Sequence, residues 1–188
     1  LSNLIDIEYL FKEYYKKLHR IANQVVNDVD LAEDVVQDVF ISVWKNRESL
    51  LIKTTIEGYL IKSTVNKAIS YLEKNKKNLK AEITDQIEYL NLSENKSNVY
   101  DFELFQKMVF VSLDKLPPKC KAIFMLSRFE NMKNKEIAEH LGINIKTVEN
   151  QMSIAISKLN TELKPKLKNY FPEIIFNLFL IIFNFFWG

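Results

Sequence analysis

A chain of 188 residues, 47% hydrophobic and 27% charged, holds enough apolar material for one domain or two small ones, and too much for a disordered segment. With three glycines and four prolines it has few places to turn, which favours long helices over a many-stranded sheet. The net charge of +2 is too weak to announce a polyanion partner, so any nucleic-acid site has to come from local clustering.

Taken in chain order, Ile7 to Val26 sets Leu10, Phe11, Tyr14, Tyr15, Leu18, Ile21, Ala22 and Val25 at three- and four-residue spacing, which predicts an amphipathic helix. Acids and lysines interrupt the apolar stripe of Leu1–Leu18, so this end reads as helix and not as a secretion signal. Polar Asn27–Asp30 breaks the helix. A second one is expected from about Asp30 to Trp44, with Leu31, Val35, Val39 and Val43 on one stripe and Asp34, Gln37, Asp38 and Ile41 along another. Asn46–Thr55 reads as a loop, unusual for holding Leu50, Leu51 and Ile52 among polar neighbours. The third helix, about Ile56 to Lys74, buries Leu60, Val65, Ala68, Ile69 and Leu72. Tyr59 and Tyr71 read as core aromatics. Composition then shifts to Lys, Asn and Ser with poor apolar spacing, the mark of a linker over 78–100. A fourth helix begins near Asp101 and stops before Pro117, while Pro118 suits the first turn of the next. Three more follow at about Pro118–Phe129, Asn134–His140 and Ile145–Leu163.

The stretch "NKEIAEHLGINIKTVENQM" has the chemistry of a helix-turn-helix. Ile137, Ala138 and Leu141 face one side, Gly142 permits the positive φ of a sharp turn, and Asn144 caps the second helix. Val148, Met152, Ala155 and Leu159 then pack inward, leaving Lys146, Thr147, Glu149, Asn150, Gln151 and Ser153 outward. Lys146 and Thr147 suit phosphates, Asn150 and Gln151 suit adenine, and Glu149 can accept from cytosine. A solvated three-helix unit is the plainer alternative. The motif alone does not separate a repressor, a response regulator and a sigma factor. No catalytic motif, cofactor-binding motif or metal-ligand set appears, so the expectation is no enzyme, no cofactor and no metal. The single cysteine, Cys120, excludes an internal disulfide and reads as a packing residue.

The N-terminal half discriminates among these. "DLAEDVVQDVFISVWKNR", then "EGYLIKSTVNKAISYLEKNKK", then "LDKLPPKCKAIFMLSRFENMKNKEIAEHLGINIKTVENQ" together resemble the extracytoplasmic-function (ECF) family of bacterial RNA polymerase sigma factors, in a Bacteroidetes-like version. The resemblance covers about Ile7–Leu163. It implies an all-α fold of two small helical bundles. These are a sigma region 2 domain over 5–77 and a region 4 domain with the helix-turn-helix over 101–165, joined by the linker and followed by an apolar C-terminal helix over 172–188. It also implies a cytoplasmic initiation factor that directs core polymerase to specific promoters and assists −10 melting.

On the resemblance, Asp34, Gln37, Asp38 and Ile41 dock on the β′ clamp helices, and region 4 meets the β flap. Lys53, Thr54, Lys62, Asn66, Lys67 and Lys74 hold the single-stranded −10 element, with Lys76 and Lys77 steering phosphates. Lys146, Thr147, Glu149, Asn150, Gln151, Ser153 and Lys158 read the duplex −35 element. A solvated acidic face and a soluble lysine-rich linker are the alternatives. Two departures stand out: Asn131 and Lys133 replace a glycine and a serine usual before "KEIA", so the first motif helix is expected to lack its usual cap, and Ile154 replaces a basic residue. A sigma factor relying on a further targeting partner, such as an anti-sigma factor or other protein, is one resulting alternative. A regulator that never touches polymerase and a membrane-tethered interaction protein are others. The tail Ile174–Trp187 is apolar except for Asn177 and Asn184. As a helix it would span about 21 Å against a bilayer core of about 30 Å, which favours docking on a partner or on the chain itself over membrane contact.

Overall fold

The structure, a computed structural model, describes residues 6–48, 50, 52, 55–74 and 107–167, with side chains to 165. Among them are seven helices and no strand: α1 (Ile7–Val26), α2 (Val29–Asn46), α3 (Ile56–Lys74), α4 (107–114), α5 (Pro118–Arg128), α6 (Asn134–Leu141) and α7 (Ile145–Leu167). The fold is all-α, as expected. The linker 78–100 and the tail 172–188 lie outside the described residues.

Short polar side chains set the joints. Asp6 accepts the Tyr9 N–H at 3.0 Å and starts α1. Asn27 ends it in the left-handed region (φ 59°), which asparagine tolerates better than most residues. Asp28 then accepts the Leu31 N–H at 2.9 Å and starts α2, so two residues reverse the chain. Thr55 Oγ1 accepts the Gly58 N–H at 3.0 Å at the start of α3. Between α4 and α5 the Leu116 N–H closes on the Leu113 carbonyl at 3.0 Å, and Pro118 occupies the first turn of α5. Helix α2 extends beyond the expected bounds at both ends, and α7 runs past Leu163 through Pro165 to Leu167.

Helices α1, α2 and α3 pack on one another, as do α5, α6 and α7. The two bundles also touch: α5 packs on α1 and α3, and α6 packs on α3. One apolar cluster runs through both, including Leu18, Ile21 and Val25 of α1, Val35 and Val36 of α2, Leu60 and Ile61 of α3, Met125 and Leu126 of α5, Ile137 of α6 and Val148 of α7. Each such side chain contributes about 1.5–3 kcal/mol through burial. Phe11, expected inward, is exposed, with its ring 4.8 Å from Tyr15 and 5.0 Å from Phe40. Tyr59 and Tyr71 are half-buried against the core, and Cys120 is fully buried.

Candidate polymerase and promoter interfaces

Helix α2 has two unlike sides. Ala32, Val35, Val36, Val39, Phe40 and Val43 are buried, and the other side carries exposed Asp34, Gln37 and Ile41 with half-buried Asp38. The strip ends in Trp44, 54% exposed, with the Arg47 guanidinium 5.0 Å from its ring centroid. Trp44 was absent from the sequence-derived set. Its signal was present, because it stands three residues beyond Ile41 and seven beyond Gln37, the spacing of one helical face. The strip thus grades from acidic to apolar, which suits a basic, amphipathic helical partner.

Helix α3 exposes Lys62, Asn66 and Lys74. Lys67 is half-buried and pairs with Asp38 of α2 at 2.8 Å. A residue expected to touch the −10 strand and one expected to touch polymerase are therefore partners of each other. Lys53 and Thr54 lie outside the described residues, as do Lys76 and Lys77. Lys62 points away from its own bundle: a Cβ at position 142 would lie 2.7 Å from its Nζ, so the ammonium sits against the helix-turn-helix turn.

That turn is built locally. Gly142 takes φ 64°, and its N–H reaches the Glu139 carbonyl at 3.3 Å. The Ile143 N–H returns to the Ala138 carbonyl at 3.0 Å, which satisfies another orphan carbonyl at the end of α6. Asn144 Oδ1 accepts the Lys146 N–H at 2.8 Å and starts α7. Helix α6 lacks the usual side-chain cap, as expected, because Lys133 makes no side-chain cap bond, and its start is held in another way. The Lys133 N–H donates to Glu136 Oε2 at 2.7 Å, so a carboxylate within the first turn reaches back where a serine would have reached forward. Asn131, in place of the usual glycine, adopts φ 54°.

On α7, Val148, Met152, Ala155 and Leu159 are buried, while Lys146, Thr147, Glu149, Asn150, Ser153 and Lys158 are exposed. Gln151 is half-buried, and its backbone carbonyl accepts the Cys120 thiol at 3.2 Å. Burial pushes the Cys120 thiol pKa up, which keeps the sulfur protonated and inert. The exposed strip mixes lysines for phosphates with amide, hydroxyl and carboxylate groups for base edges. No group of three or more metal-ligating side chains occurs among the described residues, and no helix among them is long and apolar enough to cross a membrane.

Comparison with known proteins decides the family. The sigma-70 region 2 profile matches residues 10–78, and the sigma-70 region 4 profile matches residues 108–159. The RNA polymerase sigma factor SigV of Bacillus subtilis is 31% identical over 152 residues, covering 80% of this chain and 87% of that one. The chain belongs to the RNA polymerase sigma factors. Its relatives also include a probable RNA polymerase sigma factor of Haemophilus influenzae, 28% identical over 76% of this chain and 81% of its own length. Among solved structures, the sigma factor RpoE of Bartonella quintana, in complex with the anti-sigma factor NepR, superposes with a TM-score of 0.56 at 17% identity. It covers 85% of this chain and 97% of that one. CnrH, in complex with the cytosolic domain of CnrY, gives a TM-score of 0.56 at 20% identity, covering 87% and 91%. This sigma factor is of the ECF type and directs RNA polymerase in transcription initiation, a role that in its family is not enzymatic. Most of α1 and all of α2 and α3 fall within the region 2 match, and most of α4–α7 within the region 4 match.

Proposed function

We propose that the acidic-to-apolar strip of α2 is the docking face for the polymerase β′ clamp helices, with Asp34, Gln37 and Asp38 at its polar end and Ile41 and Trp44 at its apolar end. The observation that carries this reading is the exposure of Ile41 (47%) and Trp44 (54%) on a helix whose opposite side is closed into the core. Two large apolar side chains left in water beside acids need a partner surface. The −10 element is held by Lys62, Asn66 and Lys74 of α3 together with Lys53 and Thr54. Their cations and amide track a separated strand and assist melting. Lys67 contributes only after leaving Asp38. The strip of α7 reads the −35 duplex with Asn150, Gln151 and Glu149 at base edges and Lys146, Thr147, Ser153 and Lys158 at the backbone. Region 4 meets the β flap, and the site of action is the cytoplasm. Two relatives of this fold were captured with anti-sigma partners, which supports a controlling partner of that class here.

The test is transcription of a promoter library by purified bacterial core polymerase with and without the chain. Transcripts that appear only with it, and that share a −10 and a −35 sequence, are expected. Retention of duplex DNA with no transcript would instead favour a regulator independent of polymerase.

A further inference from the structure

The outward face of α7 carries one side chain that hydrogen bonding to DNA leaves unused. Ile154 is 40% exposed, although Val148, Met152, Ala155 and Leu159 of the same helix are closed into the core. It stands seven residues after Thr147, four after Asn150 and three after Gln151, so one helical face holds all four. Thr147 and Asn150 are exposed with it. From Thr147 to Ser157 the chain has no lysine or arginine, so the phosphate-binding cations, Lys146 and Lys158, stand at the two ends of the strip. The stretch between them suits base edges better than the charged backbone. Its other exposed side chains are hydroxyl, amide and carboxylate, whereas Ile154 can neither donate nor accept. An isolated exposed isoleucine is ordinary on a protein surface. Within this strip it has a defined complement, because the thymine C5-methyl is the apolar feature that base edges present in the major groove. A β-branched side chain is stiff at χ1 and loses little freedom on making such a contact.

We propose that Ile154 is a specificity-determining residue of the −35 interface: it packs on the C5-methyl group of a thymine and selects that base by shape, without a hydrogen bond or a charge. This rests on the assignment of the α7 strip to the −35 duplex and names a base that the strip selects. Four residues of helix advance about 6 Å beyond Asn150, and stacked base pairs repeat every 3.4 Å or so, which puts this thymine about two base pairs from the base that Asn150 contacts. Cytosine presents an amino donor and no methyl at that edge. Uracil keeps the hydrogen-bonding edge of thymine and lacks only the methyl. The contact disfavours both. Because no cation takes part, it adds nothing to the salt dependence of binding.

The test uses holoenzyme reconstituted from the full chain and purified bacterial core polymerase. Parent, Ile154→Ala and Asn150→Ala holoenzymes each select binding sites from a library of random duplexes of promoter length. Alanine is the best helix former and Ile154 lies outside the core, so Ile154→Ala keeps the fold. The parent should enrich a −35 element with a thymine that Ile154→Ala no longer requires, while the base set by Asn150 stays. In the best parent sequence, deoxyuridine then replaces that thymine. The parent should bind about fourfold more weakly, the worth of one buried methyl group, and Ile154→Ala should bind both duplexes alike. Parent and Ile154→Ala should share one slope of log affinity against log salt. Ile154→Arg should lose the thymine preference and steepen that slope by about one, as for an added phosphate contact. The same thymine requirement in parent and Ile154→Ala overturns the proposal. So does an equal uracil penalty in both, or a shallower salt slope for Ile154→Ala, which would make the contact something other than a methyl contact. A change with Asn150→Ala alone sinks the Ile154 contact and leaves the −35 assignment standing. No change with either variant removes that assignment together with the proposal.

Discussion

Gly142→Ala tests the geometry of the motif turn. At φ 64° an alanine Cβ crowds its own carbonyl, a cost of about 1–2 kcal/mol, and a lower-entropy unfolded chain returns roughly 0.4–1 of it. The new Cβ would also meet Lys62 Nζ at 2.7 Å, but that atom ends a flexible side chain with room to move into solvent. Backbone strain therefore dominates, and the net loss is roughly 1 kcal/mol, or about 2–4 °C in melting temperature for a chain of this size. Gly142→Asn should lose less, because asparagine already occupies this region at Asn27 and Asn131. Urea unfolding of the parent, Gly142→Ala, Gly142→Asn and Gly142→Ala/Lys62→Ala measures all four. Full recovery on removing Lys62 would refute the strain argument and make the loss a steric one. Equal losses for alanine and asparagine would refute it as well.

Leu126→Ala, at a fully buried site in α5, should cost about 2–5 kcal/mol by urea unfolding, the range for a cavity that neighbours cannot fill. Asp28→Ala removes the acceptor for the Leu31 N–H and should cost about 1 kcal/mol, whereas Asp28→Ser should recover most of it. Iodoacetamide at pH 8 should alkylate Cys120 far more slowly in the folded chain than in urea, since burial both hides the thiol and raises its pKa. Equal rates would mean that the α5–α7 contact opens freely.

Much of the fold was legible because it is encoded locally. The bounds of α1 and α3 follow from unbroken apolar spacing ended by polar residues, and the turn at Gly142 follows from one glycine and one asparagine in the right order. The loss of the usual cap of α6 was legible in Lys133, but its substitute was not, because Glu136 works from inside the helix. The union of the bundles was not legible at all. Arg20 and Glu130 are 110 residues apart, and no spacing rule links them. The same holds for Lys67 and Asp38, whose residue types suggested two separate partners until the packing of α2 on α3 brought them within 2.8 Å. Trp44 was legible in principle, but a large aromatic at helical spacing reads as core until its exposure is seen.

The most direct measurement is co-elution of the full chain with purified bacterial core RNA polymerase, parent against Asp34→Lys. Asp34 is the cleaner choice, because reversing Asp38 would also break its pair with Lys67. The parent should co-elute, and the charge reversal should weaken association by about tenfold or more, as expected for a like charge placed in a complementary interface. A parent that fails to bind core would contradict assignment of the α2 strip to polymerase docking, and binding indifferent to Asp34→Lys would move the docking face elsewhere on the molecule.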